Sequence, residues 1–334
     1  MASSTALDIL HISQKYALYT TYITLITGIT GNFLNIFIFT SFKAFRNSQC
    51  VLYFVTESIS NICQLMTFFL IRLLTSLNDI DPANSTIFWC KLRAMMIALC
   101  TLISFSTVCF SACDQYLSTS LLSSLRKLST IKSAKILIFT AIVISALNTI
   151  PFCIFLEIRF SLCSVFSPMM SHYLVYFYYP ILSGLLPIFI ASLFSILAYR
   201  NVRRIVRRQI PIVRRRLDRQ LTAMVLTRII AFVILTLPYA IQRMYTHLAK
   251  VNQSNLLLFA INSLVGVITS SLFNLNYAVS FYIFMASSVR FRRQVKYVLI
   301  KKYWQRLKRW FSYNENQIHP NMPIQSVESS MELQ

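Results

Sequence analysis

The titratable side chains of this chain are few and scattered. Its four histidines, His11, His172, His247 and His319, fall singly, and no two acids face each other within an apolar stretch. The four glycines, Gly28, Gly31, Gly184 and Gly266, each sit inside an apolar stretch, where a phosphate-cradling loop cannot be built. The eight cysteines show no C-x-x-C metal spacing. Acid–base, nucleophilic and metal-assisted catalysis all need several such groups in one place. The expectation is therefore no enzyme, no metal and no cofactor. What the chain does offer is three cations at the ends of apolar stretches, Arg72, Arg93 and Arg243, and a run of tyrosines, Tyr173, Tyr176, Tyr178 and Tyr179. A guanidinium holds a carboxylate through two parallel hydrogen bonds, so the chemistry in view is binding of an anion. The competing reading is that these arginines snorkel from helix ends towards headgroups.

The elements that must position these residues are seven long apolar segments, near Tyr16–Phe42, Val51–Leu74, Lys91–Ser118, Ile136–Leu156, Tyr173–Tyr199, Leu221–Leu248 and Leu256–Ala286. Each reaches the roughly 20 residues that cross about 30 Å of hydrocarbon as a helix. A helix meets its own backbone hydrogen bonds in lipid, so the expected fold is an all-α membrane protein, a seven-transmembrane helix bundle. Composition agrees: 56% of the chain is apolar and only 13% is charged.

The formal net charge of +22 points to nucleic acid in a soluble chain, but its placement points to a membrane. Lys43 and Arg46 fill the first gap, and Arg126, Lys127, Lys132 and Lys135 the third. Nine arginines from Arg200 to Arg219 fill the fifth gap, and nine basic residues from Arg290 to Arg309 follow the last segment. The positive-inside rule puts these alternate gaps in the cytoplasm and the N-terminus, residues 1–15, outside. The two N-x-Ser/Thr sequons, at Asn84 and Asn252, fall in gaps assigned to the outside, where glycans are added. Residues 1–15 lack the compact apolar core of a cleaved signal peptide. The partners expected on this ground are the lipid bilayer and no nucleic acid.

The third segment narrows the class. Cys90 stands at its outer mouth and Asp114-Gln115-Tyr116 at its inner end, 24 positions apart, or about 36 Å of helix. In order along the chain come Gly31-Asn32, Asn61, Pro187, Asp218, Phe232 six residues before Pro238, and Asn276 ahead of Ser280-Phe281-Tyr282-Ile283-Phe284. Over roughly residues 16–311 this set resembles the rhodopsin-like (class A) G-protein-coupled receptors, as a divergent member of invertebrate orphan type. The departures are Gln115 for the triplet's arginine, Thr236 where a tryptophan is usual, no proline between Ser280 and Phe284, and Ser60 or Asn61 for the acid of the second helix. The resemblance implies a receptor for an extracellular ligand that signals through a heterotrimeric G protein. It gives Asp114, Gln115, Tyr116 and Asp218 a coupling role, with Gln115 opposite Asp218. Asn32, Asn61, Pro187, Phe232, Pro238 and Asn276 become packing or switch positions. Each also has a plainer reading: the prolines kink helices, and the amides join helices across lipid.

Cys90 and Cys163 both lie in outer gaps, an oxidising side, and are the expected disulfide; the other cysteines, in or beside apolar spans, are expected as free thiols acting as small hydrophobes. The outer half of the third segment has no acid for an amine ligand, and the seventh has no lysine for a Schiff base. Arg72, Arg93, Arg243 and Tyr176 are the candidate ligand residues, for a peptide or small anionic molecule. Residues 287–311 repeat Phe291, Val295, Leu299, Tyr303, Leu307 and Phe311 at four-residue spacing among basic residues. They are expected as an amphipathic helix on the inner leaflet, with a disordered tail at 312–334. The alternative function is a multi-span transporter or channel, which usually carries repeat symmetry, paired broken helices and several buried acids.

Overall fold

The computed structural model describes residues 2–41, 48–78, 81–159, 162–207, 212–248 and 256–297. Two units are distinguished, Met1–Val289 and Arg290–Gln334. The first is an all-α bundle with, among the described residues, seven helices long and apolar enough to cross a membrane. In chain order they are α1 (Ala2–Ser41), α2 (Gln49–Asn78), α3 (Ile87–Thr119), α4 (Ile131–Phe155), a fifth span ending in α5 (Leu186–Arg207), α6 (Ile212–Leu248) and α7 (Leu256–Leu275). A short α8 (Ser280–Ser287) continues the line of α7 after a break, and α9 (Val289–Lys296) follows.

The bundle is apolar on its outside as well as in much of its core, and polar groups are buried between its helices. Phe139, Ile144 and Leu147 of α4, Phe189 and Ile196 of α5, and Ile230 and Ile234 of α6 are exposed, while Asn32, Asn35, Glu57, Asn61, Gln64, Arg228 and Asn276 are buried. Apolar surface on this scale faces hydrocarbon, and the polar groups find partners between helices. The chain is thus a multi-pass membrane protein. α3 is the axial helix and packs on α2, α4, α5 and α6. α1 packs on α2, α7 and α8. Gly28 permits that approach, because a Cβ there would lie 2.4 Å from Leu65 Cδ1 and 3.0 Å from Ala278 Cβ.

Four features depart from the sequence reading. Residues 2–15 are helical and continuous with the first span. The seventh segment, expected as one helix, breaks between Leu275 and Ser280: Tyr277 and Ala278 donate to carbonyls three residues back rather than four, to Asn274 and Leu275. A hairpin follows α4, with β1 (Leu156–Arg159) antiparallel to β2 (Leu162–Val165) and Ile158 opposite Cys163. The fifth span opens with Pro168–His172, widens into a π-helix at Tyr173–Leu185 and only then tightens into α5. Pro180 lies inside the wide turn, and Gly184 allows it, since a Cβ there would lie 2.5 Å from the Tyr179 carbonyl oxygen. In the second unit α9 carries Phe291 and Val295 on one side and exposed Arg292, Arg293 and Lys296 on others, in keeping with the amphipathic pattern. Residues 298–334, with the rest of that repeat and the tail, lie outside the described residues.

Cys90, at the start of α3, is bonded to Cys163 in β2, as expected, with a Cα–Cα separation of 5.8 Å. The hairpin is tied a second time: the Cys163 backbone N–H donates to Asn84 Oδ1 at 3.1 Å. We expect Cys90→Ala and Cys163→Ala to lower the unfolding temperature of purified protein equally, by a loss of about 2–5 kcal/mol. The double variant should be no worse than either single one, because both remove the same bond. Additive losses in the double variant would contradict this.

Candidate functional site

Two sites share the bundle. The first is a cavity of about 620 Å³ at the disulfide end, bounded by α3, the hairpin, the π-helical turn, α6 and α7. Its lining includes Arg93, Tyr178, Tyr179, Tyr239, Arg243 and Phe273. The π-helix turns Tyr178 and Tyr179 inward. Tyr176, expected as a ligand residue, is 61% exposed, stacks on His172 and does not line the cavity. A π-helix takes more residues per turn than the 3.6 of an α-helix, so neighbouring tyrosines here face directions that α-helical spacing would not give. Arg93 Nη1 lies 3.5 Å from Asp81 Oδ2. Asp81 also caps the short helix Pro82–Ser85, accepting from the Ala83 N–H at 3.0 Å. The Arg243 guanidinium lies 5.0 Å from the centre of the Tyr239 ring. The side chain of Arg72 and residue Asn252 lie outside what is described. Asn84 Nδ2, the atom that would carry a glycan, lies 3.3 Å from Asp81 Oδ2.

The second site is a polar core in the middle of the bundle, and its centre is Arg228 of α6. Its side chain is 1% exposed. Arg228 Nε donates to Glu57 Oε1 at 2.8 Å, and Nη2 lies 2.7 Å from the same oxygen. Nη1 donates to Asn276 Oδ1 at 2.8 Å and Nη2 to the Asn276 carbonyl at 3.3 Å. Beside this pair, Asn32 Nδ2 donates to the Tyr277 carbonyl at 2.8 Å, Asn61 Nδ2 to Asn32 Oδ1 at 3.3 Å, and Ser104 Oγ to Asn61 Oδ1 at 2.8 Å. The Tyr277 and Thr101 hydroxyls are 2.9 Å apart. Side chains from α1 and α6 thus take the carbonyls of Tyr277 and Asn276, where the α7–α8 line breaks.

The sequence-nominated residues fall into place around this core. Asn32, Asn61 and Asn276 belong to it, and Asn61 rather than Ser60 is the residue that reaches Asn32; Ser60 donates to the Cys100 carbonyl instead. Phe232 packs edge-on to Phe105 at 4.8 Å. The Pro187 carbonyl accepts from the Cys109 thiol at 3.4 Å. Pro238 lies within α6, and Thr236 beside it donates to the Phe232 carbonyl.

At the other end, Asp114 Oδ1 accepts from Ser129 Oγ at 2.6 Å, and Tyr116 packs on Phe194. Gln115 Oε1 accepts from Thr222 Oγ1 at 3.0 Å. The expected partner of Gln115 was Asp218, one turn earlier on α6; its side chain lies outside the described residues, and Thr222 makes the contact. Gln220 Nε2 donates to Ser288 Oγ at 3.1 Å.

The Glu57–Arg228 pair is the part that sequence reasoning missed. Glu57 is the ninth residue of α2 and is 2% exposed. The signal was present: Arg228 is a full charge in the middle of an apolar segment, and Glu57 is the acid at matching depth.

Compared with known proteins, this chain matches no family model and no curated sequence.

A buried ion broken from its partner is left as an uncompensated charge, which costs about 3–5 kcal/mol, whereas apolar replacement of both partners is often neutral. Glu57→Gln and Arg228→Gln should therefore each lower the unfolding temperature in lipid nanodiscs. The pair Glu57→Leu with Arg228→Leu should recover most of that loss. Single variants as stable as the parent would contradict the assignment.

Proposed function

We propose that the protein is a G-protein-coupled receptor of rhodopsin-like type in the plasma membrane, with its N-terminus outside and its C-terminus cytoplasmic. On this reading the disulfide end faces the extracellular space and its cavity takes the ligand. The basic loops and α9 lie at the cytoplasmic face, where positive charge is retained.

The observation that carries the reading is how α6 is held. Three polar links cross from it to three different elements along its inner half: Gln220 to Ser288, Thr222 to Gln115 of α3, and Arg228 to Glu57 of α2. A helix pinned by a ladder of directed bonds has two discrete arrangements, bonded and released, rather than a continuum. Release of α6 from α2 and α3 opens a cleft at the basic end, which gives a cytoplasmic partner a place to dock. The ordered motif set, with Cys90 and Asp114 at opposite ends of α3, supports the same class.

The three links are unequal. A charge-assisted bond is worth about 1.5–3 kcal/mol and a neutral one about 0.5–1.5 kcal/mol. In a cell-based assay of heterotrimeric G-protein recruitment, Glu57→Gln should raise the ligand-free signal by about tenfold and Thr222→Val by less, at equal surface expression. Recruitment that is absent in the parent and in both variants, together with ion or solute flux through reconstituted liposomes, would replace this reading with the transporter or channel one.

A further inference from the structure

The charges at the disulfide end sort themselves by partner. Of the arginines whose side chains are described there, Arg159 is paired with Glu157 at 2.7 Å and Arg93 with Asp81 at 3.5 Å. Arg243 has no carboxylate within ion-pair distance among the described residues, and its guanidinium rests on the Tyr239 ring. A snorkelling arginine directs its charge to the headgroups. Arg243 instead lines both the cavity of about 620 Å³ and a neighbouring one of about 420 Å³ between α1, α6 and α7. A cation held inside a membrane span without an acid is costly unless something supplies the missing charge.

We infer that the larger cavity binds a monoanionic carboxylate with an apolar or aromatic body, its carboxylate seated on Arg243. This deepens the receptor reading and rests on it. The anion carries a single charge because Arg93 is already neutralised, so a dianion would leave its second charge unmatched. The body is apolar because Phe152, Leu174 and Phe273 line the cavity beside its rings. The volume suits a ligand of ordinary small-molecule size. Tyr178 and Tyr179 add hydroxyl-bearing rings on the π-helical side.

The test uses purified full-length protein in nanodiscs of phosphatidylcholine, which removes anionic headgroups as a source of the charge. The probes are indole-3-acetate, oleate and N-acetylphenylalanine, each compared with its primary amide by the shift in unfolding temperature. At least one acid should stabilise the protein while its amide does not. Arg243→Gln should weaken that acid roughly tenfold or more, the loss expected for one charge-assisted bond. Arg243→Lys should retain part of the binding, and Arg93→Gln should change it less. The inference is overturned if no acid binds, if the amides bind as well, or if Arg243→Gln keeps full affinity. Should Arg243→Gln fail to fold, the acid–amide comparison on the parent decides alone. The binding assay needs no G protein. Acid-selective binding without recruitment would overturn the receptor reading and keep the ligand class. Recruitment driven by the amides alone would do the reverse.

Discussion

An arginine buried within a membrane helix must be neutralised where it stands, and much of this bundle is arranged around that requirement. The Arg228 guanidinium is 1% exposed and buried among the helices, where Glu57 supplies the charge and Asn276 two further acceptors. An isolated ion would carry a desolvation cost of several kcal/mol, and the pair survives only because its geometry is good. Two consequences follow. α6 is fixed in rotation and depth against α2. The backbone beyond α7 gives up regular helix at residues 276–279, where its carbonyls serve side chains from α6 and α1 in place of a continuous ladder. Asn276 Nδ2 has no partner among the described residues.

The cavity and the ion pair are joined by packed rings. Arg243 lies over Tyr239, Tyr239 stacks on Phe273 at 4.2 Å, and Phe273 meets Tyr277 edge-on at 5.5 Å. Phe105 bridges Phe273 and Phe232, at 5.9 and 4.8 Å. Tyr277 is the neighbour of Asn276, and its carbonyl and hydroxyl are held by Asn32 and Thr101. Close-packed rings do not deform smoothly, so a shift of Tyr239 has to be taken up by Phe273 and then by the break in the seventh span. Adjacency alone is not coupling; what gives it physical content is that the break and the ion pair share Asn276, so a change in one alters the acceptors available to the other.

Much of this was legible in the sequence, for reasons that can be named. The spans follow from length and hydropathy, since lipid leaves the backbone few options. The Cys90–Cys163 bond followed from both residues lying in gaps on one side. Asn32, Asn61 and Asn276 were legible as buried amides but not as one network, because their partners come from four helices and pairing across helices leaves no local trace. The break at 276–279 was invisible for the same cause: nothing between Leu275 and Ser280 is a helix breaker, and the carbonyls are drawn off by Asn32 and Arg228 from far along the chain. Which of the clustered tyrosines faces the cavity was not legible, because the π-helix at Tyr173–Leu185 does not follow α-helical periodicity. The Gln115–Thr222 contact sits one turn from the acid that the family resemblance singled out. The Glu57–Arg228 pair could have been read, as one acid and one base buried in separate spans.

The central claim is that this ion pair holds α6 against α2 and α3. The most direct measurement is the distance distribution between spin labels at Leu122, beyond the end of α3, and Ala223 of α6, in nanodiscs, for the parent and Glu57→Gln. The account predicts one dominant short distance in the parent and a second, longer population by several ångströms in Glu57→Gln. Superimposable distributions would contradict it.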